Sequence, residues 1–90
     1  MKLVWSRLAI NDREAIMDFI ARDNPQAAIA LDDHFEAFAR RASEHLLMHK
    51  PGRLDNTREV VIRRHYVMIY QICHRRVRIL RVLHSAQHWP

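Results

Sequence analysis

The chain has 90 residues, with 15 basic and 10 acidic side chains, a formal net charge of +5, 49% apolar residues, one Gly, three Pro and one Cys. That length makes a single domain, 1–90, which buries only roughly 60 to 65% of the surface its unfolded form exposes and so has a thin margin of stability without a partner. The composition excludes a linker or disordered tail, a lone Cys73 excludes an internal disulfide, and apolar runs of a handful of residues exclude a membrane span, so a cytosolic protein is expected, without leader or membrane contact.

Residues 2–5 alternate, with Leu3 and Trp5 on one face, and predict a short first strand. Ser6 is a helix cap, because its hydroxyl can accept from the free amides of a first turn. Along residues 7–22, Ala9, Ile16, Phe19 and Ile20 fall on one side and predict an amphipathic helix. Asp23-Asn24-Pro25 then breaks the chain: Pro25 disfavours helical geometry at Asn24 but suits the first position of a new helix capped by Asn24. In that helix, predicted from Pro25 to about Leu47, Ala28, Leu31, Phe35, Phe38, Ala42 and Leu46 recur at spacings of three and four. They form the seam of a helix folded back on the first as a hairpin.

Residues 49–56, with the only Gly, predict a loop. Residues 60–62, 66–72 and 77–83 are blocks of β-branched and aromatic side chains, too short for three helices, and predict an antiparallel meander of three strands. The breaks at Arg64-His65 and His74-Arg75 lack the Asn-Gly or Asp-Gly of tight hairpins. The expected fold is α+β: an N-terminal strand, an antiparallel helical hairpin and a three-stranded antiparallel meander, with the hairpin over one face and the other face bare.

Charge is divided along the chain. From residue 50 onward nine basic residues face two acidic ones, a net of +7, whereas the first 49 residues carry −2. Thirteen of the 15 basic residues are Arg, whose planar fork suits phosphate or carboxylate, so the sheet is expected to meet a polyanion or an acidic partner. The pairs His45/His49 and His84/His88 have a spacing that could chelate. A stable site needs three or four ligands, and no Cys pair or acidic residue stands at a suitable offset, so no metal and no cofactor is expected. One glycine cannot build a phosphate-cradling loop, and Cys73 has no orienting partner and is expected to be a buried thiol. The remaining set is Arg58, Arg63, Arg64, His65, Arg78, Arg81, His84 and His88. It holds the base, acid and cation that RNA cleavage through a 2′-hydroxyl requires. Strict alternation would put Arg78 and His84 on one face and Arg81 on the other.

The opening VWSRLAINDREAIMDFIARDNPQAA, the loop GRLDNTREVVI, the strand RHYVMIY and the ending ILRVLHSAQHWP together resemble the RelE/ParE superfamily of toxins from bacterial type II toxin-antitoxin modules. The resemblance spans nearly the whole chain and implies the fold just read. It also implies a cognate antitoxin, ParD-like or RelB-like, whose extended or helical C-terminal segment wraps the toxin, with operator DNA bound only through that antitoxin. RelE-like members, which cut messenger RNA on the ribosome, usually carry an arginine after the tyrosine of this strand and a tyrosine near the C-terminus. Here Val67 follows Tyr66, and the ending has no tyrosine. The phrase Arg81-Val82-Leu83-His84 is similar to ParE-like members, which poison DNA gyrase. The resemblance therefore implies a gyrase poison, and Arg63, Arg64, Arg78 and Arg81 of the basic sheet are the expected contacts to its target. The alternative is a ribosome-dependent mRNA endonuclease using Arg58, His65, Arg81, His84 and His88.

Overall fold

A computed structural model describes residues 1–45, 50–52 and 54–87, in the order β1 (Lys2–Trp5), α1 (Arg7–Ala21), α2 (Pro25–Glu44), β2 (Lys50–Pro51), β3 (Thr57–Ile62), β4 (Tyr66–Cys73) and β5 (Arg76–His84). The strands form one sheet in the order β1-β5-β4-β3-β2. The expected antiparallel meander is its centre, but the sheet is mixed, because β1 lies parallel to β5 with Lys2 opposite Arg76 and Trp5 opposite Ile79. The stretch expected to be loop contributes a two-residue edge strand, Lys50–Pro51, paired with Glu59 and Arg58. The β1–β5 pairing joins residues 74 apart, so no periodicity within β1 could reveal it, and the β2–β3 pairing is a local hairpin whose two-residue strand is too short to show a period. No described helix is long and apolar enough to cross a membrane.

Both helix starts follow from local chemistry. Ser6 Oγ accepts from the Ala9 amide at 3.0 Å and donates to the Leu80 carbonyl at 2.8 Å, so one hydroxyl caps α1 and ties it to β5. Asn24 Oδ1 accepts from the Ala27 amide at 3.0 Å, with Pro25 at the first helical position. The hairpin is clamped by Arg13, whose Nε and Nη2 each donate to Asp32 at 2.8 Å and whose Nη1 donates to Glu36 at 3.0 Å. The same guanidinium lies 4.3 Å from the centre of the Trp5 ring.

The core lies between hairpin and sheet, where Leu31, Phe35, Ala39 and Ala42 of α2 meet Val60, Ile62, Met68, Tyr70, Val77, Ile79 and Val82. The seam of α2 is as read, except that Ala39 is fully buried while Phe38 packs at its margin. The helix ends at Glu44 rather than near Leu47, and Leu46 lies outside the described residues. On α1, Ile16 and Ile20 pack on the core, but Phe19 is 69% exposed. Nor is the opposite face of the sheet bare: register puts Ile69 and Leu83 there, and they are only 0% and 4% exposed.

A bulge between Ile69 and Tyr70 corrects the facing of β5. Ile69 opposes Arg81 while Tyr70 opposes Ile79, so Leu80 is an extra residue and the alternation changes phase there. Val77, Ile79, Val82 and His84 consequently face the helices, and Arg78 and Arg81 share the outer face, against the expectation that Arg78 would pair with His84.

Candidate functional site

The bulge and a short first strand together decide where the charged residues of β5 end up. β1 stops at Trp5, opposite Ile79, so the backbone of β5 beyond that point has no strand on this side. The exposed edge is completed by side chains and a helix start. Ser6 N–H donates to the Ile79 carbonyl at 2.9 Å and Ser6 Oγ to that of Leu80, while Asp12 Oδ2 of α1 accepts from Val82 N–H at 2.9 Å. Asp12 also receives Arg81 in a two-pronged contact, Nε at 2.8 Å and Nη2 at 2.9 Å, with side chains 24% and 15% exposed for Arg81 and Asp12. The hydrogen bonds that Arg81 donates to Asp12, ahead of the carboxylate's charge, raise the pKa of the guanidinium against the opposing effect of burial. Arg81 is thus held in an internal ion pair.

Where β5 ends, three rings meet. Tyr66, at the start of β4, opposes His84; their ring centres lie 5.6 Å apart, edge to face, and Phe35 of α2 packs edge-on against Tyr66 at the same distance. His65 stacks on His84 at 6.0 Å with an interplanar angle of 9°. The His65 carbonyl accepts from Ser85 N–H at 2.6 Å and Gln87 Oε1 from His84 N–H at 2.7 Å, which hold the turn and the strand end together. The Ala86 amide donates to His84 Nδ1 at 3.2 Å, so a neutral His84 ring carries its proton on Nε2. Beside these rings an open apolar groove of about 260 Å³ is lined by Ala15, Ile16, Phe19, Tyr66 and His84.

Arg63 and Arg64 rim this end of the molecule on the β3–β4 turn, both in the left-handed region with φ of 50° and 67°. Non-glycine residues adopt it at a cost of roughly 1–2 kcal/mol each. Arg63 Nη2 donates to His34 Nε2 of α2 at 3.1 Å, and Arg64 is exposed. The structure therefore gathers Arg63, Arg64, His65 and His84 with Tyr66 and Phe19. It leaves Arg58 half-buried in β3 opposite Tyr70, far along the sheet, and Arg78 exposed on the outer face opposite Gln71. His88 lies outside the described residues. Cys73, expected to be buried, is exposed, because it ends β4 on the outer face. Among the described residues no group of three or more His, Cys, Asp or Glu side chains could hold a metal ion.

Sequence reasoning missed Asp12, Phe19 and His34. Periodicity puts Phe19 on the buried stripe, but Ile16 and Ile20 on either side of it take the core contact and Phe19 lines the open groove with Tyr66 and His84. Asp12 and His34 gave no local signal, since their partners Arg81 and Arg63 are 69 and 29 residues away.

Residues 3–89 match the family model of the ParE toxin of the type II toxin-antitoxin system parDE. The chain is 31% identical over 90 residues to "Putative toxin Y4kP" of Sinorhizobium fredii, covering 99% of this chain and 93% of that protein. Its fold is similar to a solved structure described as the chromosomal ParDE TA system from P. aeruginosa. The TM-score is 0.81 at 19% identity, over 93% of this chain and 95% of that one.

Proposed function

Since the chain belongs to the ParE toxin family of type II toxin-antitoxin systems, we propose that it arrests bacterial growth by poisoning DNA gyrase and that a cognate antitoxin neutralises it. The observation that carries binding over cleavage is the fate of Arg81. Of the cations in β5 it is nearest His84, and it spends two donors on Asp12, so it is not free to hold a scissile phosphate. What remains at that end is a surface suited to grip a protein: Phe19 and Tyr66 beside an apolar groove, with Arg63 and Arg64 at the rim. Exposed aromatic and arginine side chains around a small apolar centre are the usual anchors of protein interfaces.

Within this reading the antitoxin covers the apolar side chains exposed on the helical hairpin, Leu8, Ile10, Phe19 and Ile29. A partner that binds only the folded toxin also stabilises it by mass action. Acidic residues on that partner face the basic turns of the sheet. Arg63 and Arg64 are the contacts to gyrase.

Induction in growing cells followed by plasmid topology analysis tests the target. Loss of supercoiling with double-strand breaks is expected. One observation favours ribosome-dependent mRNA cleavage instead: the His65 and His84 rings stack beside Tyr66, bringing two proton-transfer groups together. Cuts at codon-defined positions in translated messages, with topology unchanged, would establish that reading and refute gyrase as the target.

A further inference from the structure

At the end of the sheet away from the His65–His84 cluster, β4 and β5 are joined by a two-residue turn, His74-Arg75, between the paired residues Cys73 and Arg76. Both turn residues have positive φ, 50° and 61°, which is the mirror-image turn that Asn-Gly satisfies without strain. This chain puts a histidine and an arginine there instead, where each carries a left-handed backbone penalty. Strain of this kind persists where the side chains serve something other than the turn.

The side chains gathered there are nearly all cationic. Register places Lys2 beside Arg76 and Val4 beside Arg78, so Lys2, Arg76 and Arg78 share the outer face. Lys2 N–H also donates to the Arg75 carbonyl at 3.3 Å, which fixes the turn against β1. Lys2, His74, Arg75, Arg76 and Arg78 are all exposed. Among the described residues none of these five is paired with a carboxylate. The carboxylate that shares the face, Glu59, lies two strands from Arg78 and is 5% exposed. Seven residues of β4 at about 3.3 Å each put this patch roughly 23 Å from the Arg63–Arg64 turn, beyond the screening length of about 8 Å at physiological salt. The two are separate basic surfaces.

From four cations brought together by β1, β5 and a strained turn, we infer that this patch binds the phosphate backbone of duplex DNA. The side chains themselves select that partner. An acidic protein needs several apolar anchors for stable docking; among the described residues, Met1 is the one exposed large apolar side chain adjoining this patch, whereas Leu8, Ile10, Phe19 and Ile29 are on the helices, Leu54 precedes β3 and Val61 lies on β3 opposite Val67, near the Arg63–Arg64 turn. Single-stranded nucleic acid is held by stacking its bases on aromatic rings, and register brings no aromatic residue to this part of the outer face among the described residues. Arginine and lysine beside a single exposed methionine, with no Phe, Tyr or Trp at this end of the face among the described residues, match the outward phosphates of a duplex, read without sequence preference. The inference goes beyond the target proposed above. Its readout is DNA binding with no gyrase present, so the two stand or fall separately.

The test is fluorescence anisotropy of the full-length isolated toxin with a labelled 20-base-pair duplex, titrated at several salt concentrations. With four phosphates neutralised, the logarithm of affinity falls against the logarithm of salt with a slope of about −3.6, a loss of about 100-fold between 50 and 200 mM. Arg76→Ala/Arg78→Ala is expected to halve that slope and to weaken binding at least tenfold at 50 mM. His74→Asn/Arg75→Gly relieves the turn, so it is expected to fold at least as stably as the wild type while its slope falls by about one. Unchanged slope and affinity in either folded variant overturns the inference. So does tighter binding of poly-glutamate, or of a single-stranded RNA of equal length, than of the duplex.

Discussion

Replacing Asp12 by Ala removes three hydrogen bonds from one carboxylate, and their separate worth can be worked out from the structure. The Val82 amide, whose residue is 1% exposed, loses its only partner at the open edge of β5. An amide left buried and unsatisfied costs about 1–3 kcal/mol. Arg81 loses its carboxylate but is near enough to the surface to turn toward water, which adds about 1 kcal/mol or less. The expected destabilisation is therefore about 1–4 kcal/mol, a large share of the roughly 5–14 kcal/mol available to a domain of this length. Asp12→Asn keeps an oxygen for the Val82 amide and should cost only about 1 kcal/mol or less. Arg81→Ala leaves the amide satisfied and should resemble Asp12→Asn. Urea unfolding of the three variants and of the Asp12→Ala/Arg81→Ala double variant measures each number. The midpoint is expected to fall without a change in slope, and the Val82 amide should exchange faster with solvent in the two variants that carry Asp12→Ala but not in Asp12→Asn or Arg81→Ala. If Asp12→Ala lies within about 0.5 kcal/mol of the wild type, α1 does not complete the edge of β5 and the account of Arg81 as an internal ion pair fails with it.

Four further outcomes are expected. Phe19→Ala should leave unfolding free energy within about 0.5 kcal/mol of wild type, as exposed positions do, but weaken antitoxin binding at least tenfold by calorimetric titration. Arg64→Gly should stabilise the fold by about 1 kcal/mol, since glycine adopts the left-handed region freely; growth inhibition should fall in the same variant, which separates stability from function. Gly52→Ala should destabilise by about 1–3 kcal/mol in thermal unfolding, because the added Cβ collides with the Thr57 side chain. Burial raises the pKa of the Tyr70 hydroxyl above its ordinary value of 10.0, with the charge of Arg58 acting the other way. The folded state then holds that proton to higher pH than the unfolded chain does, so stability is unaffected below about pH 10 and declines as pH rises toward the folded value. Tyr70→Phe should flatten that alkaline decline in unfolding midpoints measured from pH 8 to 11.

Of the candidate site, the sequence supplied the residue types and the structure supplied the grouping. Of the eight expected residues, Arg63, Arg64, His65 and His84 lie at one end of the sheet, because a hairpin turn must adjoin the far end of the next strand. Arg78 and Arg81 lie elsewhere, one on the distant basic patch and the other on Asp12. A single inserted residue, Leu80, separates the two outcomes: with strict alternation His84 would face away from Tyr66 and the ring cluster would not exist.

The chain by itself determined both helices, their caps at Ser6 and Asn24, the cores of the three central strands and membership of the ParE family. Each of these rests on neighbours in sequence, where side-chain type and spacing act directly on the backbone. Only the tertiary structure decided that β1 runs parallel to β5, that the alternation slips at Leu80, that Asp12 stands in for a missing strand, and that the arginines form two basic ends instead of one platform. Those features depend on contacts spanning up to 74 residues. Their energy is realised only after the chain has closed those loops, so no local pattern records it.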